Sequence, residues 1–178
     1  MKAGKGETKI GKGFDHNPLD TVVKAFQLVF FNEKALMSIM LNRKHTVNIF
    51  MLYIVTLFIP FKGVTGLLQP TGAGQIVESV LLTSIYICLI YLYMPKKKGV
   101  FMATVRVMLA IEVISAFLPL TFMMDDEMLK YFHPGFLAWY LSLSVLCVSK
   151  IKGFGYILSS LIVISAFIVT VLFPAFFA

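Results

Sequence analysis

The sequence predicts an all-α integral membrane protein, with five transmembrane helices preceded by an amphipathic interfacial helix. Three observations predict it. Of 178 residues, 58% are hydrophobic and 14% charged, which is more apolar surface than a soluble domain of this length can hide. The apolar residues gather into five stretches that meet or approach the ~20 residues a helix needs to cross the hydrocarbon. None of these stretches alternates in polarity at every second residue, as the strands of a spanning barrel do.

Residues 1–16 read as a flexible basic tail carrying Gly4-Lys5-Gly6 and Gly11-Lys12-Gly13. This window lacks the apolar core of a cleavable signal peptide, and Met1-Lys2 lacks the glycine that myristoylation needs. The first span is therefore expected to act as the targeting signal. Residues 17–45 read as an amphipathic cytoplasmic helix, with Asn17 as cap and Pro18 at the first helical position. Leu19, Val22, Val23, Phe26, Val29 and Phe30 follow helical spacing on one face, with Asp20, Lys24, Gln27 and Lys34 on the other. Asn32 offers a break into two helices. The expected place is the surface of the inner leaflet, with packing against the cytoplasmic ends of the spans as the competing placement.

Residues 46–178 hold the bundle. The first span is read over 47–68, with Pro60 and Lys62 interrupting its far end. The second covers 76–94 and stops at Pro95, and the third covers 100–124. The fourth, 131–148, is the weakest, because His133-Pro134-Gly135 is expected to cut it short. The fifth covers 154–174. Eight basic residues precede the first span, and the first connection has Lys62 alone. The second connection has Lys96, Lys97 and Lys98, the third sets Asp125, Asp126 and Glu127 against Lys130, and the fourth has Lys150 and Lys152. Basic residues mark the cytoplasmic side, and every connection agrees with an N-terminus in the cytoplasm and a C-terminus outside. Tyr91, Tyr93 and Tyr156 read as inner border residues, Tyr131 and Trp139 as outer ones. Ser142, Ser144, Gly155, Ser159, Ser160 and Ser165 read as a packing seam between spans four and five.

The net charge of +7 does not indicate nucleic acid, because the excess sits at membrane ends, where orientation requires it. Cys88 and Cys147 fall within spans and read as small hydrophobes. There is no phosphate loop, no His-Glu-x-x-His and no cysteine pair at metal spacing. His16, His45 and His133 fall on different sides, so no metal or other cofactor is expected. Asp125-Asp126-Glu127 reads as a solvated turn rather than a cation loop. The candidate site residues are those that look out of place. Lys96, Lys97 and Lys98 are candidates for anionic lipid headgroups, joined by Arg106, which would snorkel toward them. Glu112 lies near the middle of the third span, where an acid costs a few kcal/mol on insertion scales. It is expected to face the bundle interior as a hydrogen-bonding post. Glu78 and Lys62 are the other intramembrane polar candidates, expected to pair across the outer hairpin. A membrane-embedded enzyme would need polar residues clustered at one depth, and the sequence displays no such cluster.

The amphipathic stretch Leu19 to Met40, with Lys24-Ala25-Phe26 and Asn32-Glu33-Lys34-Ala35, is similar to the start of the Yip1-domain membrane proteins. Phe136-Leu137-Ala138-Trp139 and Lys150-Ile151-Lys152-Gly153-Phe154-Gly155 resemble the close of that family. The resemblance covers residues 20–172 and is nearest to the bacterial branch. It implies five spans, a bacterial inner membrane and no catalytic residue. Eukaryotic members bind small trafficking GTPases and carry a Tyr-Gly-Pro element from which this sequence departs. The expected function is a non-enzymatic scaffold or accessory subunit that binds membrane lipids and a membrane partner or a second copy. The alternative is a small proton- or ion-coupled transporter or channel subunit that uses Glu112.

Overall fold

The computed structural model describes residues 18–63, 68–69, 72–97 and 99–173. The basic tail, the Asn17 cap, Lys98 and the close of the fifth expected span lie outside the described residues. The chain runs α1 (Pro18–Val29), α2 (Glu33–Leu41), α3 (His45–Thr56), β1 (Phe61–Lys62), β2 (Leu68–Gln69) and α4 (Ala73–Leu92). It continues through α5 (Val100–Ile111), a 3-10 segment (Glu112–Met123), α6 (Asp126–Lys152) and α7 (Tyr156–Leu172). The class is all-α, with one antiparallel hairpin of two-residue strands among the described residues.

Among the described residues three helices are long and apolar enough to cross a membrane: α4, the rod formed by α5 and the 3-10 segment, and α6. The apolar helices α3 and α7 have 12 and 17 residues. At 1.5 Å per residue they reach ~18 and ~26 Å, against ~30 Å of hydrocarbon.

Two prolines act in opposite ways, and both outcomes correct the sequence reading. The stretch 47–68 is not one helix. Pro60 has no N–H and disfavours helix at Ile59, so α3 closes at Thr56 and the chain turns into the hairpin, with Phe61 opposite Gln69 and Lys62 opposite Leu68. The fourth span, by contrast, runs straight through Pro134 over 27 residues. Asp125 caps it, accepting a hydrogen bond from the Met128 N–H at 2.7 Å, and Asp126 and Glu127 fill its first turn, where acids oppose the positive helix end. The acidic trio is thus a helix start and not a free turn. At the other end Gly153 takes φ 70° and donates its N–H to the Ser149 carbonyl at 2.8 Å, the left-handed close that glycine favours.

The N-terminal stretch is two helices. Phe31 adopts φ 60°, and the Asn32 side chain accepts the N–H groups of Lys34 and Ala35 at 3.0 and 3.1 Å. Both helices pack on the bundle, α1 against α3, α5 and the 3-10 segment, and α2 against α5. The face of α1 that turns inward is Thr21, Ala25, Leu28 and Val29, while Leu19, Val23 and Phe30 remain more than half exposed. Small side chains at Thr21 and Ala25 permit close approach to a neighbouring helix, which is why the bulkier stripe is left outside. Thr21 Oγ1 meets His45 Nδ1 at 2.8 Å and accepts from Asn48 Nδ2 at 3.1 Å, fixing α1 to the start of α3. Phe26 and Phe30 meet Phe117 edge-on at 6.3 and 6.1 Å between centroids. Trp139, expected at the outer border, instead packs on Phe117 and donates its indole N–H to the Val29 carbonyl at 2.9 Å.

Arg106 is also placed differently from expectation. It is 4% exposed and does not reach toward headgroups. Its Nε donates to the Ile39 carbonyl at 3.1 Å, its Nη2 to the Met40 carbonyl, and its Nη1 to Thr46 Oγ1 at 3.3 Å. Ile39 and Met40 lie in the last turn of α2, whose carbonyls have no partner within the helix and favour a positive charge. The expected small-residue seam is buried only at Ser144 and Ser159, with Ser142, Gly155 and Ser165 exposed, and its buried hydroxyls do not bond across it. Ser144 and Ser159 are fully buried, and α6 packs on α7, yet both hydroxyls turn back to carbonyls of their own helices, Tyr140 and Gly155.

Replacing Arg106 by Met strands two helix-end carbonyls and removes charge-assisted bonds. The expected cost is about 3 kcal/mol, read as a lower melting temperature in mild detergent with faster trypsin cleavage after Arg43 and Lys44. Lys at this position restores only part of the loss, because it lacks the planar fork. An unchanged melt would show that α2 is held by other contacts.

Candidate functional site

A cavity of about 360 Å³ lies among α3, α4, the 3-10 segment, α6 and α7, beside the hairpin. Its polar lining includes Tyr53, Thr83, Tyr86, Glu112, Tyr140 and Thr170, and Glu112 is the single charged residue in its wall. The elements that build it follow from the fold. The helix α3 ends early at Thr56, so the hairpin and not a helical turn closes that side. The helix α4 leans on α7 and α5 and makes little contact with α3. Glu112 stands where α5 gives way to the 3-10 segment.

Tyr140 donates its hydroxyl to Glu112 Oε1 at 2.9 Å, and its ring lies 6.0 Å from that of Tyr86 between centroids. Tyr53 and Tyr86 are 7% and 3% exposed, and neither hydroxyl has a hydrogen-bond partner within 3.5 Å among the described residues. The Thr83 hydroxyl stands beside the first and the Ser144 hydroxyl beside the second. Buried tyrosine hydroxyls ordinarily find partners, and leaving one unpaired costs on the order of 1–3 kcal/mol. Two such hydroxyls and one carboxyl around a single space form an arrangement that can accept hydrogen bonds from a guest.

The other expected site residues are not part of it. Lys62 does not pair with Glu78. Its Nζ meets Asp126 at 2.9 Å and the Met124 carbonyl at 3.2 Å, and its N–H donates to Thr121 Oγ1 at 2.9 Å. His133 donates from Nε2 to the Lys62 carbonyl at 3.2 Å. Lys62 therefore staples the hairpin to the 3-10 segment and α6. Glu78 is exposed on α4, beside a separate shallow hollow with Gln75 and Phe61. Lys96 and Lys97 are exposed after α4, at positions where headgroup contact is unobstructed within the chain. Arg106 is engaged by α2.

Sequence reasoning missed Tyr53, Tyr86, Tyr140 and Thr83, which gather with Glu112 around one cavity. A signal existed: these tyrosines fall well inside apolar helices, where a hydroxyl has no headgroup to meet, unlike the terminal Tyr91 and Tyr93. Among the described residues no group of three His, Cys, Asp or Glu could hold a metal ion. Neither a protein-family model, nor a curated protein, nor a solved structure matches the chain.

The Glu112–Tyr140 bond is testable by a double-mutant cycle of Glu112→Gln and Tyr140→Phe. Side-chain hydrogen bonds between membrane helices couple by about 0.6–1.7 kcal/mol. A coupling in that range, measured by unfolding in detergent, is expected, and additivity would deny the contact.

Proposed function

We propose that this chain is a non-enzymatic integral membrane protein, a scaffold or accessory subunit, that takes an amphipathic molecule from the bilayer into its helix bundle. The observation that carries the reading is the pair of buried, partnerless hydroxyls of Tyr53 and Tyr86 beside Glu112 in one cavity. A wall that is apolar over most of its surface suits a ligand with a large apolar part, and a few converging polar groups suit its head.

In this reading α3, α4, the α5 rod, α6 and α7 make five crossings. The short α3 and α7 are accommodated by tilt of neighbours and local thinning of the bilayer. Lys96, Lys97, Lys150 and Lys152 face the cytoplasm, and Asp125, Asp126 and Glu127 face the opposite side. Lys96 and Lys97 add contact with anionic headgroups at about 1 kcal/mol per basic residue. The Yip1-like resemblance, with its bacterial inner membrane, belongs to this proposal as an expectation about architecture and contributes no residue to the site. A second reading is favoured by the acid in the cavity: Glu112 would pass a proton or ion.

Native mass spectrometry from mild detergent is expected to find about one amphiphile per chain, lost when Thr83→Trp fills the cavity. Wild-type protein that carries none overturns the proposal. Vesicles loaded with a pH-sensitive dye should show no flux above the Glu112→Gln variant. Flux that this variant abolishes would put transport in its place. Reporter tags on the two termini are expected on opposite sides of the membrane, and tags on the same side would remove the five-crossing arrangement.

A further inference from the structure

A second cavity, about 420 Å³, adjoins the first between α3, α4 and α5. The two share Tyr53, Leu57 and Thr83 as common wall. The second carries no charged residue, and Phe50, Ile54, Ile87, Phe101 and Met102 give it an apolar lining. Because α4 leans away from α3, this groove is a lateral cleft, and its rim residues Phe50, Ile54 and Val80 are 41%, 48% and 38% exposed. Exposed apolar residues beside an apolar groove form an entrance suited to a hydrocarbon chain arriving from lipid.

The two spaces lie in sequence along α5. The groove reaches Phe101 and Met102 at the start of that helix, and Glu112 stands just past its end, ~16 Å from Phe101 along the axis. A guest whose polar group meets Glu112 can therefore lay its chain toward the start of α5.

The sign of the polar group follows from the lining. Among the described residues Glu112 is the one charged residue in either cavity. A phosphate or carboxylate head would meet no counter-charge there and would face an acid, which low-dielectric surroundings make costly. An ammonium head has three donors and no acceptor. Three acceptors belong to the wall of the space: the Glu112 carboxylate and the hydroxyl oxygens of Tyr53 and Tyr86, both residues more than nine-tenths buried and both hydroxyls without a partner among the described residues. Tyrosine faces also attract a cation. Tyr140, already donating to Glu112 Oε1, holds the acid in place.

We infer that the occupant is a cationic amphiphile, a primary-amine head on a long apolar chain, seated with its ammonium on Glu112, Tyr53 and Tyr86 and its chain in the cleft between α3 and α4. This rests on the amphiphile-binding reading above and adds the charge of the head and the path of the chain.

The test uses the full chain in phosphatidylcholine nanodiscs and three photoreactive probes with a mid-chain diazirine: a long-chain primary amine, the matched carboxylate and the matched alcohol. Crosslinks are mapped by mass spectrometry. The amine is expected to label residues 50–57 and 80–88 at least about tenfold more than the carboxylate, equivalent to about 1.4 kcal/mol of discrimination. Glu112→Gln should bring amine labelling down to that of the alcohol. Tyr86→Phe should lower it severalfold, and it carries the test alone if the Glu112 variant does not fold. Ethylamine in large excess should not compete. Competition by ethylamine would make the source a free small amine and overturn the long-chain occupant. Equal labelling of the cleft by the carboxylate overturns the charge assignment and leaves amphiphile binding standing. Absence of cleft labelling by all three probes overturns both.

Discussion

The bundle is organised around one guanidinium. Inside a low-dielectric assembly every backbone donor and acceptor needs a partner, and the last carbonyls of α2 have none of their own. Arg106, halfway along α5, supplies donors to the carbonyls of Ile39 and Met40. The arginine gains as well, since a cation at bilayer depth costs about 2.5–3.5 kcal/mol on insertion scales, and each bond to a charged group returns about 1.5–3 kcal/mol. Once the end of α2 is fixed there, the Asn32 turn sets α1 back against the bundle. That return puts Val29 within reach of the Trp139 indole and Phe26 and Phe30 against Phe117. A positive charge that looked like a membrane-surface anchor is instead the pin on which the N-terminal pair is mounted.

The cavity is the complement of that packing. Strong contacts draw α3 toward α5 and α4 toward α7, and the space between α3 and α4 stays open. Into it project an acid and three tyrosines from four different elements. One bond is satisfied, between Tyr140 and Glu112, and two hydroxyls are not. The stability lost in those hydroxyls is the strongest argument that the space is a site and not a packing flaw, because either residue as phenylalanine would remove the cost.

Much of the fold was legible because its signals are local. Asn32 divides α1 from α2 through its own side chain, Pro95 follows the end of α4, and Gly153 closes α6. Prolines were legible only in part. Pro60 and Pro134 present the same lost N–H, and their outcomes differ because α6 is capped at Asp125 and carries on for 18 residues past Pro134 to Lys152, whereas the chain beyond Pro60 finds a strand partner. Lys62 was paired with the wrong acid for a similar reason: adjacency in the hairpin pointed to Glu78, but the hairpin folds toward the start of α6. The tyrosine cluster was the least legible feature. Tyr53, Tyr86 and Tyr140 belong to helices far apart in sequence, and helical phase fails beyond Glu112, where each residue turns about 20° further in a 3-10 helix than in an α-helix.

The 3-10 segment also alters a length. Runs beyond three or four residues are uncommon, and this one has 12. At ~2.0 Å per residue it climbs ~24 Å, where α-helix would climb ~18 Å. Of that difference, ~4.5 Å sits between Glu112 and Thr121, to which the hairpin is tethered. Rewinding those residues to α-helix would shorten the rod and draw the tethered hairpin toward Glu112.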